Sequence, residues 1–443
     1  MGQARSTVVG LGFPTLTLAV LPGHVDVQSA EEMRANVLRQ TLDQVIVALT
    51  GDTETAVPLQ EPSAREIVFE GTFEDVNRFF IENEWSDGLP IFPPTPEKIG
   101  EFLAFTDRDP NEELGRMLPD NRSATIWNVA VNGVMAGCRP EYMPILIACV
   151  EAMCDPHYGV EHSGNTPGAE TLIILNGPII KELGFNYEQG ALRDGFQANT
   201  TIGRFWRLYL RNVTGFLPHQ TDKGTFGNTW RVVLAENEDA LAKIGWKPLA
   251  ADYGCEVGDN AITVARYTGE KVMICVTGSG AEDMMPYMAR SLVNQTTWEL
   301  TFTFGIAIGL YRPLVVISPV IAELIAKSGW SKRDLQQRLF ELARIPAREF
   351  EQFIMDWTNI VPGKRTLYDY VRMGKAPKIL GESRDPNRLV PIVLEPEHIM
   401  IAVSGDPLRT NGIVFSHNGQ LGFPTTKKIV LPKDWKKLMG RPG

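Results

Sequence analysis

The sequence predicts an α/β protein built from two duplicated βα-type lobes that meet at a pseudo-twofold seam, with an N-terminal βα unit completed by a partner. Three observations carry this. Strand-like apolar runs alternate with helix-patterned ones along most of the chain, as in layered α/β folds. An internal repeat is present: Met143-Pro144 precedes Leu172 by 29 residues, and Met285-Pro286 precedes Leu314 by the same 29. Each strand is followed by Pro-aliphatic-Ile, then Glu-Leu, then Gly-aromatic, at Pro178 to Phe185 and at Pro319 to Trp330. Finally, the first fifty residues read as one strand and one helix, and a lone parallel strand needs neighbours to be stable, so this unit either packs on the rest of the chain or has its sheet completed by a partner.

Composition narrows the function classes. The chain has 443 residues, 44% hydrophobic and 22% charged, enough for two or three domains with a real core. Its formal charge of -10 disfavours nucleic acid as a partner, because phosphate binding needs a basic face. The longest apolar stretches are broken by Asn, Gly, Arg or Pro before reaching about 18 residues, so no membrane span is expected. No secretory signal is read at the N-terminus, and five cysteines without a CxxC pair point to a cytoplasmic, reducing setting. The start MGQARS fits the short myristoylation pattern, which chance matches often. Cys138, Cys149 and Cys275 lie in apolar runs and are expected to be buried, inert thiols.

The elements follow in order. A strand is expected from Pro14 to Val20, and then a helix with Ser29 as N-cap, Glu31 and Glu32 in its first turn, and Gly51 at its end. Residues 1–52 form this unit and 53–64 a linker. The first lobe spans 65–260. It opens with helices capped by Thr72 and by Thr95, the latter with Pro96 at its first position. Between the repeats, 199–215 reads as a helix carrying Arg204, Arg207 and Arg211, followed by a polar loop and a strand running into carboxylates. The second lobe spans 261–443, with a helix capped by Ser331, another over EFEQFIMDW, and a strand in HIMIAVSGD. The pentapeptide LGFPT occurs twice, at 11–15 and 421–425.

In open α/β sheets the ligand crevice lies beyond the carboxyl ends of strands. The stretch CDPHYGVEHSGNTPGAE, residues 154–170, concentrates polar groups next to the strand TLIIL and is the prime candidate wall of a pocket. His162, beside Glu161, suits general acid/base work, with a structural histidine as the alternative. Glu170 is its candidate catalytic companion or a local pairing group, and Asn165 and Thr166 are candidate substrate contacts. Asn176, Asn199 and Arg204 are further candidate substrate ligands, Arg204 as a carboxylate clamp, and Lys223 on a glycine-flanked turn is a candidate anion contact. No cofactor is identifiable. A metal held by Cys154, His157 and His162 is an alternative, although the spacing fits no usual zinc pattern. There is no P-loop, no dinucleotide fingerprint and no nucleophile elbow.

The stretch GLGFPTLTLAV…SAEEMRANVLRQTLDQVIVAL resembles the second half of a UGSC-like domain, a family named for a Sec/Cys-Gly-Ser-Cys motif. LPDNRSATIWNVAVNGVMAGCRPEYMPILIACVEAM, IGRFWRLYLRNVTG…DKGTFGN and GWSKRDLQQRLFELARIPAREF resemble the large domain that accompanies it. The motif cysteine itself is absent. The resemblance therefore implies a small partner subunit carrying a Cys-Gly-Ser-Cys-like motif, with this chain as the large subunit of a hetero-oligomeric, thiol-dependent enzyme acting on a small polar metabolite. The alternatives are a metal-assisted or acid/base hydrolase or lyase needing no partner thiol, and a non-catalytic scaffold subunit.

Overall fold

A computed structural model describes residues 2–11, 13, 15–23, 25–51, 65–228, 230, 232–303, 311–357, 365–418 and 422–440. The fold is mixed α/β around one curled, mixed sheet of seven strands. These are β1 (Glu170–Asn176), β2 (Val233–Ala235), β3 (Ala261–Met273), β4 (Leu314–Ile317), β5 (Met400–Val403), β6 (Gly412–His417) and β7 (Thr425–Lys428). Their order is β2-β1-β3-β6-β4-β5, and β7 pairs with the first residues of β3. Parallel pairs β1/β2 and β4/β5 flank the antiparallel pairs of the centre. From either edge inward the order reads parallel pair, then antiparallel neighbour.

Side-chain alternation splits the strands' apolar residues between two environments. Leu172, Ile174, Leu234, Ala265, Tyr267, Leu314, Val316, Met400, Ala402 and Phe415 form one cluster drawn from six strands. Their neighbours Ile173, Leu175, Val233, Ala235, Ile262 and Val264 join a core with helices Ile126–Ala136, Met143–Cys154 and Gln197–Tyr209. Val315, Ile317, Ile401, Val403 and Val414 join another with helices Ala281–Thr303, Pro319–Lys327 and Lys332–Leu342. Each such side chain contributes about 1.5–3 kcal/mol by leaving water. The strands are thus buried on both faces, which is why they read as unbroken apolar runs.

The curl brings the two edge strands together at their carboxyl ends. Asn237 N donates to Val403 O at 2.7 Å, and Ser404 Oγ to Ala235 O at 2.8 Å. Between them, Glu236, 1% exposed, accepts from Val403 N, Leu249 N and Asn176 Nδ2. One carboxylate spans both edges.

Several expected helices stand with their predicted caps: Thr72, Thr95 and Ser331 each accept from the third residue of their helix. The helix after Ser29 runs to Thr50, with a π-turn over Val37–Thr41. The expected strand over Pro14–Val20 does not form. The described residues there join no ladder. Val20 N instead donates to Gln44 Oε1, and Val20 O accepts from Thr41 Oγ1. An extended segment becomes a strand only beside another strand, and here its backbone is held by the helix that follows. Residues Gly2–Gly10 are helical instead of leading straight into a strand. The linker at 53–64 lies outside the described residues. Cys275, expected to be buried, is exposed: it follows the end of β3 in a left-handed turn at φ 53° that carries it out of the apolar run. The cores also cross the expected 260/261 boundary, since Leu241 and Trp246 pack in the second and Ile429 and Trp435 in the first.

No helix among the described residues is long and apolar enough to cross a membrane.

Candidate functional site

The loop between helix Met143–Cys154 and β1 is built by its own polar residues. Asp155 Oδ1 accepts from His157 N, while Lys427 Nζ on β7 reaches Asp155 Oδ2 at 2.7 Å. A 3₁₀ turn over Val160–His162 follows Gly159, whose φ of 62° suits a residue without Cβ. Asn165 folds the next turn: its amide donates to His162 O and accepts from Ala169 N. A second loop, after helix Gln197–Tyr209, is stitched to the first. Lys223 N donates to Gly164 O and Thr225 N to Thr166 O, both at 3.0 Å. Gly168 and Gly227 touch backbone to backbone; a Cβ on Gly168 would lie 2.6 Å from Gly227 N. The stretch that looked too polar for a core is therefore a hydrogen-bonded wall, with Thr166, Lys223 and Thr225 exposed at its rim.

Charge is arranged behind this wall. Arg207 places Nη2 2.6 Å from Asp222 Oδ2 and Nη1 3.6 Å from Glu170 Oε2. Burial works against the Arg207 charge, but Glu170 and Asp222 prevail and its pKa is raised. His162 is half-buried with Nε2 3.8 Å from Glu161 Oε1; burial and the nearby Arg266 charge lower its pKa against the pull of Glu161, which favours the neutral ring. His162 and Glu170 thus stand on one loop with separate partners.

Deeper in the fold lie residues that sequence reasoning missed. Arg266 on β3 is 3% exposed. Its Nη1 donates to Gly159 O at 2.9 Å and lies 3.4 Å from Ser163 Oγ, and its guanidinium sits 4.6 Å from the centre of the Tyr158 ring. Tyr158 OH in turn bonds Thr171 Oγ1 at 2.6 Å. A bulge between Ser416 and His417 sets His417 opposite Tyr267. His417 is 1% exposed, and its Nδ1 accepts from Arg312 N at 3.1 Å, so that nitrogen carries no proton. Burial first, then the charges of Arg266 and Arg312, push its pKa well below the ordinary histidine value. The signal was present as single polar residues inside apolar strands, in AITVARY and IVFSH.

Other expected site residues are occupied elsewhere. Asn176 ends β1 at the edge closure, where it bonds Glu236, Glu238 and Ala250 N. Asn199, 0% exposed, uses its amide on Asn186 N, Asn186 O and Val233 O. Arg204 pairs with Asp87 through two bonds of 3.1 and 2.9 Å and donates to Pro90 O, pinning the 84–90 turn to its helix. These side chains hold the fold together and have little left for a ligand. The alternative metal trio is not assembled. Cys154 ends its helix against Gly115, His157 stacks on Phe423 at 4.8 Å, and His162 ends the 3₁₀ turn. Among the described residues no three His, Cys, Asp or Glu side chains come together as a metal site. Burial pushes the Cys154 thiol up to about 12, as it does Cys138, so neither is a ready thiolate.

No protein-family model, curated protein or solved structure matches this chain.

Proposed function

We propose that this chain is the large subunit of a hetero-oligomeric, thiol-dependent enzyme, and that a small partner subunit brings the reactive sulfur to the wall formed by residues 155–170 and 217–228. One observation carries the reading. The helix through Leu42–Thr50 buries none of its residues, yet Leu42, Val45, Ile46 and Leu49 make an apolar stripe at spacings of three and four. Leu49 is 81% exposed. An amphipathic helix ordinarily covers such a stripe.

In this reading His162, held neutral, takes the proton of the incoming thiol, and the thiolate either adds to an electrophilic centre of a small polar metabolite or reduces it by two electrons as the partner's two motif cysteines close to a disulfide. Glu170 is the second proton-handling group. Asn165, Thr166 and Lys223 line the approach. The palindromic strand order supports reading the two halves of the sheet as a duplication, with the site on the seam between them.

The test needs no substrate. The chain is co-purified with a small polypeptide bearing a Cys-Gly-Ser-Cys-like segment, and the rate of iodoacetamide alkylation of the partner's cysteine is followed against pH. A drop of one unit in the thiol pKa gives about tenfold faster alkylation at neutral pH than in the free polypeptide, and His162→Ala is expected to abolish most of that gain. Identical rates in free polypeptide, complex and variant would reject the assignment.

A further inference from the structure

We propose that the seam between the halves holds a binding site for a small carboxylate, anchored by the guanidinium of Arg266. The proposal takes from the preceding section only the place of the site.

The case rests on charge accounting. Other cations that the fold buries are paired: Arg204 with Asp87, Arg388 with Glu351, Lys332 with Asp252, Arg207 with Glu170 and Asp222. Arg266 is 3% exposed, and no carboxylate of the described residues pairs with it. One backbone carbonyl and a long contact to a serine hydroxyl are its hydrogen-bonding partners, and its buried Nε has no acceptor. A desolvated charge is retained in a fold only when something repays its lost hydration. The Tyr158 ring covers one face of the guanidinium but leaves the Nε edge, the part that grips an oxyanion. Gly422 passes so close that a Cβ there would collide with Nη2 and with Tyr158 O, so only glycine fits beside the guanidinium.

The surroundings select the anion. His162 and His417 both feel the Arg266 charge and are held toward their neutral forms, so neither adds a competing charge. Ser163 adds a hydroxyl, itself 3.3 Å from Tyr158 OH. One unpaired guanidinium with neutral donors matches a monoanionic carboxylate. A phosphate dianion would leave uncompensated charge in a buried place. Arginine also offers the planar fork that a carboxylate fits and a lysine does not.

The experiment is thermal unfolding of the isolated full chain in acetate, lactate or inorganic phosphate, each against chloride at matched ionic strength. The wild type is expected to show a saturable rise with a carboxylate, about 3 °C at a hundredfold excess over Kd. Arg266→Met is expected to lose the rise. Phosphate is expected to need about tenfold more for half-saturation. No saturable rise with either carboxylate, or the same rise in Arg266→Met, overturns the proposal, and tighter binding of phosphate overturns the assignment to a carboxylate. Should Arg266→Met fail to fold, Arg266→Lys decides: it is expected to weaken half-saturation about tenfold by losing the fork, and an unchanged value overturns the proposal. Neither partner nor turnover enters this measurement, so its failure would leave the thiol-partner reading standing, and the reverse also holds.

Discussion

His417 shows how one buried side chain senses pH. Its ring is 1% exposed, accepts a backbone N–H at Nδ1, and has its pKa held well below 6.5 by burial and two arginines. The unfolded chain therefore takes up a proton below about pH 6.5 that the folded chain refuses, and stability contributed above that pH is lost as pH falls. Comparing wild type with His417→Gln by urea unfolding between pH 7 and 5 isolates the group. The wild type is expected to lose up to about 1.4 kcal/mol more per pH unit than the variant; parallel pH profiles would contradict the neutral assignment. Single residues were also where the sequence was hardest to read. Asn199, Arg204 and Asn176 have the composition of a binding site, yet their partners, Val233 O, Asp87 and Glu236, lie 34 to 117 residues away in sequence. Nothing local distinguishes an amide that serves a ligand from one that serves a distant carbonyl. Arg266 and His417 carried the opposite signal, a polar side chain inside an apolar strand, and that signal is visible in sequence once strands are placed.

At the scale of elements, helices were legible because their signals are local. A cap at Thr72, Thr95 or Ser331 and an apolar stripe determine a helix without reference to the rest of the chain. Strands depend on partners. The run LTLAV has strand-like content but forms no ladder, while the three-residue β2 is a strand because β1 lies beside it. The loop 155–170 was recognisable as a wall from its polarity, but its stitching to 217–228 was not, because it is made by backbone. That stitching has a sharp test in Gly168. Its φ is 72°, and a Cβ would meet Gly227 N at 2.6 Å and Gly227 Cα at 2.8 Å. Gly168→Ala is expected to cost about 2 kcal/mol from the left-handed backbone and the backbone clash together, read as a lower urea midpoint with unchanged slope. A variant as stable as wild type would show that the two loops are free to separate.

For the whole molecule, the equal 29-residue spacings before Leu172 and Leu314 were readable, and the sheet places the strands that hold them, β1 and β4, each second from an edge. The curl that joins β2 to β5 through Glu236 had no sequence signature, because it depends on the twist accumulated over six strands. Against three packed cores, residues 30–50 stand apart with none of their side chains buried. The most direct measurement is light scattering on the chain co-expressed with the Cys-Gly-Ser-Cys-bearing polypeptide, beside the same preparation with Ile46→Glu and Leu49→Glu. A single species containing both chains in fixed ratio, split by the double substitution with no change in the large chain's own melting, is the predicted result. Elution of the unaltered chain as a lone monomer in the presence of that polypeptide would contradict it.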